Sequence, residues 1–370
     1  MAVAAGSDRA AQGGTTVKGI VLCAGAGTRL RPLTHTGAKH LIPVANKAIL
    51  FYAIEALADA GVTDLGIVVG ATGWQISDAV GDGARFGCRV TYIPQERPLG
   101  LGHAVRVARD FVGDSRFVVY LGDNFIHGGI GRFVSDFANA RSAGQILLSP
   151  EADPSRYGVA QVDGDRIVRL VEKPKDPPSN LCIVGVYAFG PEIFDSIERT
   201  PPSARGELEI TDAIQGLIDA GLEVRKYEIE SWWKDTGKPE DVLDLNRRLL
   251  EELEPGVHGD INAESVIEGR VYVEKGATVR RSHLRGPVII AEGCEVEGSY
   301  IGPYTSIGPK TRIVNSDIEY SILLSECVVE DATERIDSSL LGNQVVLSRR
   351  NRLPARYKFV LADQSQAELP

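Results

Sequence analysis

The run Val17-Lys18-Gly19-Ile20-Val21-Leu22-Cys23-Ala24-Gly25-Ala26-Gly27-Thr28-Arg29-Leu30-Arg31-Pro32-Leu33-Thr34 carries an apolar strand straight into a glycine-rich turn with two arginines. That combination suits an anion. Gly25 and Gly27 let the backbone come close and aim its N–H groups at it, while Arg29 adds a planar cationic fork matched to phosphate oxygens. Two other glycine loops are excluded by spacing. Leu30 stands where a dinucleotide fingerprint has its third glycine, and no Gly-Lys-Ser/Thr ending follows as a P-loop requires.

Carboxylates come next. The stretch Phe117-Val118-Val119-Tyr120-Leu121-Gly122-Asp123-Asn124 drives an apolar strand to its end and then presents Asp123, an acid that is costly there unless wet, paired or metal-bound. A second, Asp235, lies in Trp232-Trp233-Lys234-Asp235-Thr236-Gly237, between large rings and a glycine turn. One or two carboxylates together with substrate phosphates are the usual holders of Mg²⁺, so this pair suffices if the fold unites it. Lys39, before Leu41-Ile42-Pro43, and Lys173, before Pro174, sit in sharply punctuated segments. With Arg29 they supply the positive charge that phosphoryl transfer needs.

The elements that must position these groups follow from periodicity. Strands are expected at 17–23, Leu65–Val69, Val90–Ile93 and Phe117–Leu121, with helices at about 47–60 and Gly102–Phe111. Such alternation implies right-handed βαβ units, a largely parallel sheet and a ligand site beyond the strands' carboxyl ends, where the glycine loop and Asp123 both fall. Further strands at Gln145–Leu148, Val159–Val162 and Val184–Phe189 suit a region folded over the cleft, and Val242–Leu250 a closing helix.

Beyond it the period changes. Apolar residues recur every five or six positions at Val273, Val279, Leu284, Ile290, Val296, Ile301, Ile307, Ile313 and Ile318, the hexapeptide signature of a parallel β-helix. His258 and His283 are the only candidate bases there for acyl transfer, and no pattern links them to an acceptor site, so packing or oligomerisation is the expected role.

Bulk properties narrow the field. A chain of 370 residues suits two domains, and a formal net charge of -10 argues against a nucleic-acid surface. Five scattered cysteines without metal-ligand spacing read as buried thiols of a reducing compartment. Residues 1–16 lack the basic start and apolar stretch of a signal peptide, and no apolar run reaches membrane-spanning length, so a cytoplasmic protein with no membrane partner is expected.

Taken in order, Gly25 to Thr34, the Lys39 segment, Pro94-Gln95 with Gly100-Leu101-Gly102, Leu121-Gly122-Asp123-Asn124, Tyr157-Gly158-Val159, Glu172-Lys173-Pro174, Val184-Gly185-Val186-Tyr187, Arg205–Asp212 and Trp233–Gly237 resemble the sugar-phosphate nucleotidyltransferases. The chain looks like the long form of the glucose-1-phosphate thymidylyltransferases, with its added left-handed β-helix. The resemblance implies an α/β fold, a mostly parallel mixed sheet in a Rossmann-like unit, followed by the β-helix. It divides the chain into a tail at 1–16, the nucleotidyltransferase unit at 17–250, a linker at 251–257, the β-helix at 258–350 and a tail at 351–370.

The implied reaction is NTP plus sugar 1-phosphate giving NDP-sugar and pyrophosphate, with dTTP and glucose 1-phosphate as first expectation, Mg²⁺ as cofactor and a homo-oligomer as the assembly. By the same resemblance, Arg29, Lys39 and Lys173 are catalytic, and Asp123 and Asp235 hold Mg²⁺. Leu22, Gly25, Gly27, Thr28, Gln95 and Gly100 bind the nucleotide. Asn124, Gly158, Glu172, Lys173, Tyr187 and Arg205 bind the sugar phosphate.

The sequence departs from the family pattern at three places. His40 stands where Gln is usual, Ala48 replaces a proline after Asn46-Lys47, and Gly102-His103 stands where Ala-Gln is common. An imidazole offers different hydrogen bonds from an amide, so another base (UTP, GTP or ATP) and a modified sugar or cyclitol phosphate stay open. A non-catalytic regulatory subunit on this fold would be expected to have lost one of the charged groups. Arg29, Lys39, Asp123, Lys173 and Asp235 are all present.

Overall fold

Short apolar stretches alternating with helical stripes build the first two thirds of the chain. In the computed structural model, which describes residues 17–332, 334–349 and 363–368, these become β1 (Lys18–Cys23), the two-residue strands β2 (Pro43–Val44) and β3 (Lys47–Ala48), α1 (Ile49–Asp59), β4 (Asp64–Val69), α2 (Gly73–Val80) and β5 (Arg89–Pro94). Then come α3 (Leu101–Arg106), α4 (Arg109–Val112), β6 (Phe117–Leu121), β7 (Asn124–Ile126), α5 (Gly131–Asn139), β8 (Gly144–Pro150), β9 (Gly158–Asp163) and β10 (Arg166–Glu172). The series ends with β11 (Leu181–Phe189), α6 (Glu192–Arg199), α7 (Ile210–Asp219), β12 (Val224–Glu228), β13 (Trp233–Asp235) and α8 (Pro239–Glu251). The segments read as tails, 1–16 and 351–370, lie outside the described residues apart from 363–368.

One nine-stranded sheet runs β5-β4-β1-β6-β11-β8-β12-β10-β9. Its first four strands pair in parallel, as the alternation requires, and β11 then enters antiparallel to both β6 and β8. The later strands therefore extend the same sheet and do not fold over the cleft as the sequence suggested. What leaves the sheet is a separate ribbon in which β13 pairs antiparallel with β7. Helices cover both faces. On one, α1 buries Ile49, Leu50, Ala53, Ile54 and Leu57, a stripe at helical spacing, and each fully covered Ile or Leu stabilises the fold by roughly 1.5–3 kcal/mol.

The helix expected over 102–111 is two, α3 and α4. Val105, Ala108 and Val112 are all fully buried, so the apolar stripe runs through the break and conceals it.

Past α8 the chain winds into three parallel ladders. The first stacks Val271–Val273, Val288–Ile290, Thr305–Ile307 and Ile322–Leu323, the coils adding 17 residues in the registers Val271↔Val288 and Val288↔Thr305 and 16 in Ser306↔Ile322. All nine residues of the five-to-six repeat, Val273 through Ile318, lie in the apolar core of this parallel β-helix.

The β-helix does not hang free of the sheet unit. Leu30, Ile42, Val44, Ile49, Phe125, Val242 and Leu245 share a core with Ile322 and Leu324. At its centre Asn246, fully buried on α8, accepts hydrogen bonds from Ala45 N (2.8 Å) and Ser306 Oγ (2.7 Å) and donates to Tyr304 O (3.1 Å). Asn46 adds a donor to Ile307 O at 2.9 Å. Asn246→Ala removes three hydrogen-bond partners at once, one of them the fully buried Ser306 hydroxyl, and we expect it to lower stability by about 3 kcal/mol, read as a drop in the urea midpoint. A change under about 0.5 kcal/mol would mean that water replaces the carboxamide.

Candidate active site

Beyond the carboxyl ends of β1 and β6 the chain builds a charged centre. Gly122 N donates to Leu22 O at 3.1 Å, which ties the two strand ends together. The glycine loop then turns into a short 3₁₀ turn, Thr28–Leu30, held by Thr34 Oγ1 donating to Gly27 O at 2.7 Å. Gly27 is left-handed at φ +62°, and a Cβ there would lie 2.9 Å from Lys39 Cβ. The glycines thus clear a trough for the Lys39 side chain.

Lys39, on the 3₁₀ turn Lys39–Leu41, ion-pairs with Asp123. The β7–β13 ribbon delivers the second carboxylate by setting Asp235 opposite Asn124. Thr236 locks this register with its N–H (3.1 Å) and its hydroxyl (2.8 Å), both donated to Asp123 O. Arg29 reaches over from the glycine loop: its Nη2 lies 2.7 Å from where a Cβ on Gly237 would project, and its charge acts on Asp235.

The electrostatics show what the centre lacks. Burial raises Asp123, but the adjacent Lys39 ammonium more than reverses this and holds the acid down at about 2. Asp235 is pushed up to about 6, first by burial and then by the Asp123 charge. Burial works against the Lys39 ammonium, and the two carboxylates more than compensate, so it stays charged. A buried acid beside a half-buried one that resists ionisation makes a site that a further cation would satisfy. Oxygen donors few enough to leave room for phosphate oxygens suit Mg²⁺, and among the described residues no cluster of three or more His, Cys, Asp or Glu competes for a metal.

His40, beside Lys39, is 1 % exposed with Nδ1 unpartnered, and burial, aided by the Lys39 charge, lowers it to about 3. The folded chain thus holds fewer protons on this ring than the unfolded chain between about pH 3 and 6.5. Stability is full above 6.5 and is lost as pH falls toward 3, by a contribution on the order of 5 kcal/mol. In His40→Gln that part of the slope should vanish, as read by urea midpoints at pH 7 and pH 5. Equal slopes in both proteins would contradict the buried neutral ring.

The remaining predicted residues form a second group beside the first. Glu172, at the end of β10, pairs in register with Gly158 and accepts from Thr211 Oγ1 at 2.8 Å. Lys173 Nζ lies 3.4 Å from Glu172, and its backbone N–H donates to Tyr157 O at 3.0 Å. The Tyr157 ring packs on Trp233, next to Asp235, and so links the two groups. Tyr187 is buried on β11, its phenol pushed well above its ordinary range by burial and by Glu172. Asn124, 2 % exposed, donates to Asp123 Oδ1 at 3.3 Å.

Arg205 is held at 2.8 Å by Glu209, with Glu172 at 3.6 Å, so a phosphate must displace carboxylates to reach it. Sequence reading missed Glu209, although its four-residue spacing from Arg205 was a signal. Glu172, Lys173, Arg205, Glu209 and Asp212 line a cavity of about 800 Å³. On the nucleotide side, Gln95 follows β5 with its N–H on Val69 O at 2.8 Å. Gly100 starts α3 at φ +101°, where its backbone passes so close to Leu208 that a Cβ would come within 2.6 Å of the carbonyl oxygen. The loop that carries Arg205 is thereby stitched to the one that carries Gln95.

Among the described residues no helix is long and apolar enough to cross a membrane, and all five cysteines are buried and unbridged. Comparison with known proteins agrees with the geometry. The chain is 50% identical over 355 residues to a glucose-1-phosphate thymidylyltransferase of Streptomyces antibioticus, covering 95% of this chain and 99% of that one. It is 46% identical over 354 residues to a glucose-1-phosphate thymidylyltransferase of Streptomyces griseus, with 95% and 99% covered. Among solved structures, a UDP-glucose pyrophosphorylase complexed with UDP-glucose superposes with a TM-score of 0.58 at 26% identity, over 64% of this chain and 99% of that chain. The family model described as nucleotidyl transferase matches residues 18–252, the span that holds every charged group of the centre, and the chain belongs to that family of enzymes.

Proposed function

We propose that this enzyme transfers a thymidylyl group from dTTP to glucose 1-phosphate, releasing pyrophosphate. The observation that carries the reading is the convergence of Arg29 and Lys39 on the Asp123–Asp235 pair at the carboxyl ends of β1 and β6. The names of the two Streptomyces relatives support the choice of dTTP and glucose 1-phosphate.

In this reading the backbone at Leu22, Gly25, Gly27 and Thr28, with Gln95 and Gly100, holds the nucleotide. Lys39 and Arg29 neutralise its phosphates, Arg29 on the departing pyrophosphate. Lys173 and Arg205 draw in the sugar phosphate, whose charge otherwise repels the triphosphate it attacks, while Asn124, Gly158, Glu172 and Tyr187 contact the sugar. Mg²⁺, held by Asp123 and Asp235, would supply charge neutralisation at the reacting phosphate. The acceptor's phosphate oxygen attacks the α-phosphorus in line, the bond to the bridging oxygen of pyrophosphate breaks, and no enzyme nucleophile intervenes. Alignment and charge neutralisation are the whole of catalysis here.

The test is pyrophosphate release with Mg²⁺ and glucose 1-phosphate against dTTP, UTP, ATP, GTP and CTP in turn. The reading expects the highest kcat/KM with dTTP. Turnover only with another base, or only with a modified sugar or cyclitol phosphate, would overturn the substrate assignment and keep the reaction. We also place the protein in the cytoplasm, supported by its five buried thiols, and as a homo-oligomer through its β-helix. Light scattering should give a multiple of the chain mass of 39.8 kDa, and a monomer at working concentration would contradict it.

A further inference from the structure

One contact in the nucleotide half of the site is unaccounted for by the reaction itself. Gln95 Nε2 lies 2.7 Å from His103 Nδ1, on the first turns of α3, and both side chains are buried, at 6% and 9% exposure. We infer that His103 is a positioning residue that fixes which way round the Gln95 carboxamide faces the base, and so makes the site select an imide edge, thymine or uracil, over cytosine. This rests on the reading of Gln95 as the residue that meets the base.

Donors and acceptors decide how an amide meets a base edge. A glutamine amide is nearly symmetric in shape and opposite in polarity at its two ends, so a free one serves either kind of base edge by turning over. Thymine and uracil present an N–H flanked by carbonyl oxygens, whereas cytosine presents an unprotonated ring nitrogen beside an amino group. An amide whose Nε2 donates to the Nδ1 lone pair turns over only if the ring also moves its proton from Nε2 to Nδ1; without that coupled shift Oε1 meets the lone pair in a buried place and a hydrogen bond goes unmade. Oε1 and the remaining N–H are then left in one fixed order. With the ring's position set by the glycine loop, the order that satisfies an imide sets acceptor against acceptor for cytosine.

Three features of the fold hold His103 to this task. Burial, with Arg106 one turn further on, lowers its pKa and keeps the ring neutral, and in the tautomer protonated at Nε2 its Nδ1 accepts from the Gln95 amide. The start of α3 is pinned by Gly102 N donating to Leu208 O and Leu208 N to Leu99 O, each at 2.8 Å. Gln95 is pinned from the other side by its own N–H on Val69. Ring and amide thus sit on two separately anchored backbones, which is how a hydrogen bond keeps its direction when a ligand enters.

The test compares His103→Leu, which removes the acceptor, with His103→Gln, whose amide oxygen can restore it, in the wild-type and Gln95→Leu backgrounds. Two readouts are taken for dTTP, UTP and CTP: calorimetric binding to the full chain, and kcat/KM with saturating glucose 1-phosphate. The inference expects His103→Leu to shrink the preference for dTTP and UTP over CTP at least tenfold, through nucleotide affinity and KM more than kcat. It expects His103→Gln to recover most of that preference, and His103→Leu to add nothing once Gln95 is gone. Equal losses for all three nucleotides, or effects of the two positions that simply add, would overturn it and leave the reaction standing. A wild-type preference for CTP would overturn it by showing the amide the other way round. If the wild type binds the three nucleotides but forms no pyrophosphate, the functional reading fails while the binding preferences still decide this one; if it binds none of them, both fail.

Discussion

Asp123→Asn is expected to lower pyrophosphate formation on the order of a thousandfold, and to cost stability near neutral pH because it removes the partner of the Lys39 ammonium. The side chain keeps its size, and Thr236 still donates both its hydrogen bonds to the backbone carbonyl at position 123. What disappears is one of the two charges that face the reacting phosphates and that hold Lys39 in place. Asp235 should respond as well, because part of what pushes it up to about 6 is the Asp123 charge. A raised carboxyl contributes stability that is complete below its unfolded value near 3.8 and is lost as pH rises through about 6, here on the order of 3 kcal/mol. Without Mg²⁺, that loss should be smaller in Asp123→Asn than in the parent. Steady-state rates beside urea midpoints at pH 4.5 and 7 measure both effects. A variant within tenfold of wild-type activity would remove Asp123 from the chemistry.

Lys39→Met should cost still more stability. The substitution keeps the length of the side chain in the glycine trough but leaves the buried Asp123 and half-buried Asp235 without the cation between them. Removing one partner of a buried pair typically costs about 3–5 kcal/mol. The Asp123 pKa then rises, since burial is no longer opposed, so the folded state holds the extra proton and the variant should regain stability as pH falls below neutrality. Mg²⁺ should also restore it, by replacing the lost positive charge. Its rate should still fall about 100- to 1000-fold with Mg²⁺ present, because the ammonium acts on the phosphates and not only on the acids. A variant that is destabilised, rescued in stability by Mg²⁺ and fully active would reduce Lys39 to a structural counter-ion.

What the sequence revealed was local. The glycine loop, the acid closing β6 and the five-to-six repeat of the β-helix each announce themselves within a few residues, and each stands in the structure where its pattern requires. The meeting of Asp123 with Asp235 could not be read, because it depends on the β7–β13 ribbon and the Thr236 bonds across the chain. Strand β10 escaped for a different reason. A bulge between Ile167 and Arg169 breaks its alternation, so that Ile167 and Leu170 point inward three residues apart and Val168 is left exposed. The Asn246 junction was equally hidden, since a lone Asn in an amphipathic helix gives no sign that it joins Ala45 to the β-helix.

The most direct test of the account is a ³¹P NMR time course of the full-length protein with Mg²⁺, dTTP and glucose 1-phosphate. The account predicts pyrophosphate and a sugar-linked diphosphate appearing in equal amounts, at a rate set by the acceptor and lost in Asp123→Asn. Pyrophosphate or dTDP formed at the same rate without glucose 1-phosphate, or a triphosphate left intact with every sugar phosphate offered, would contradict it.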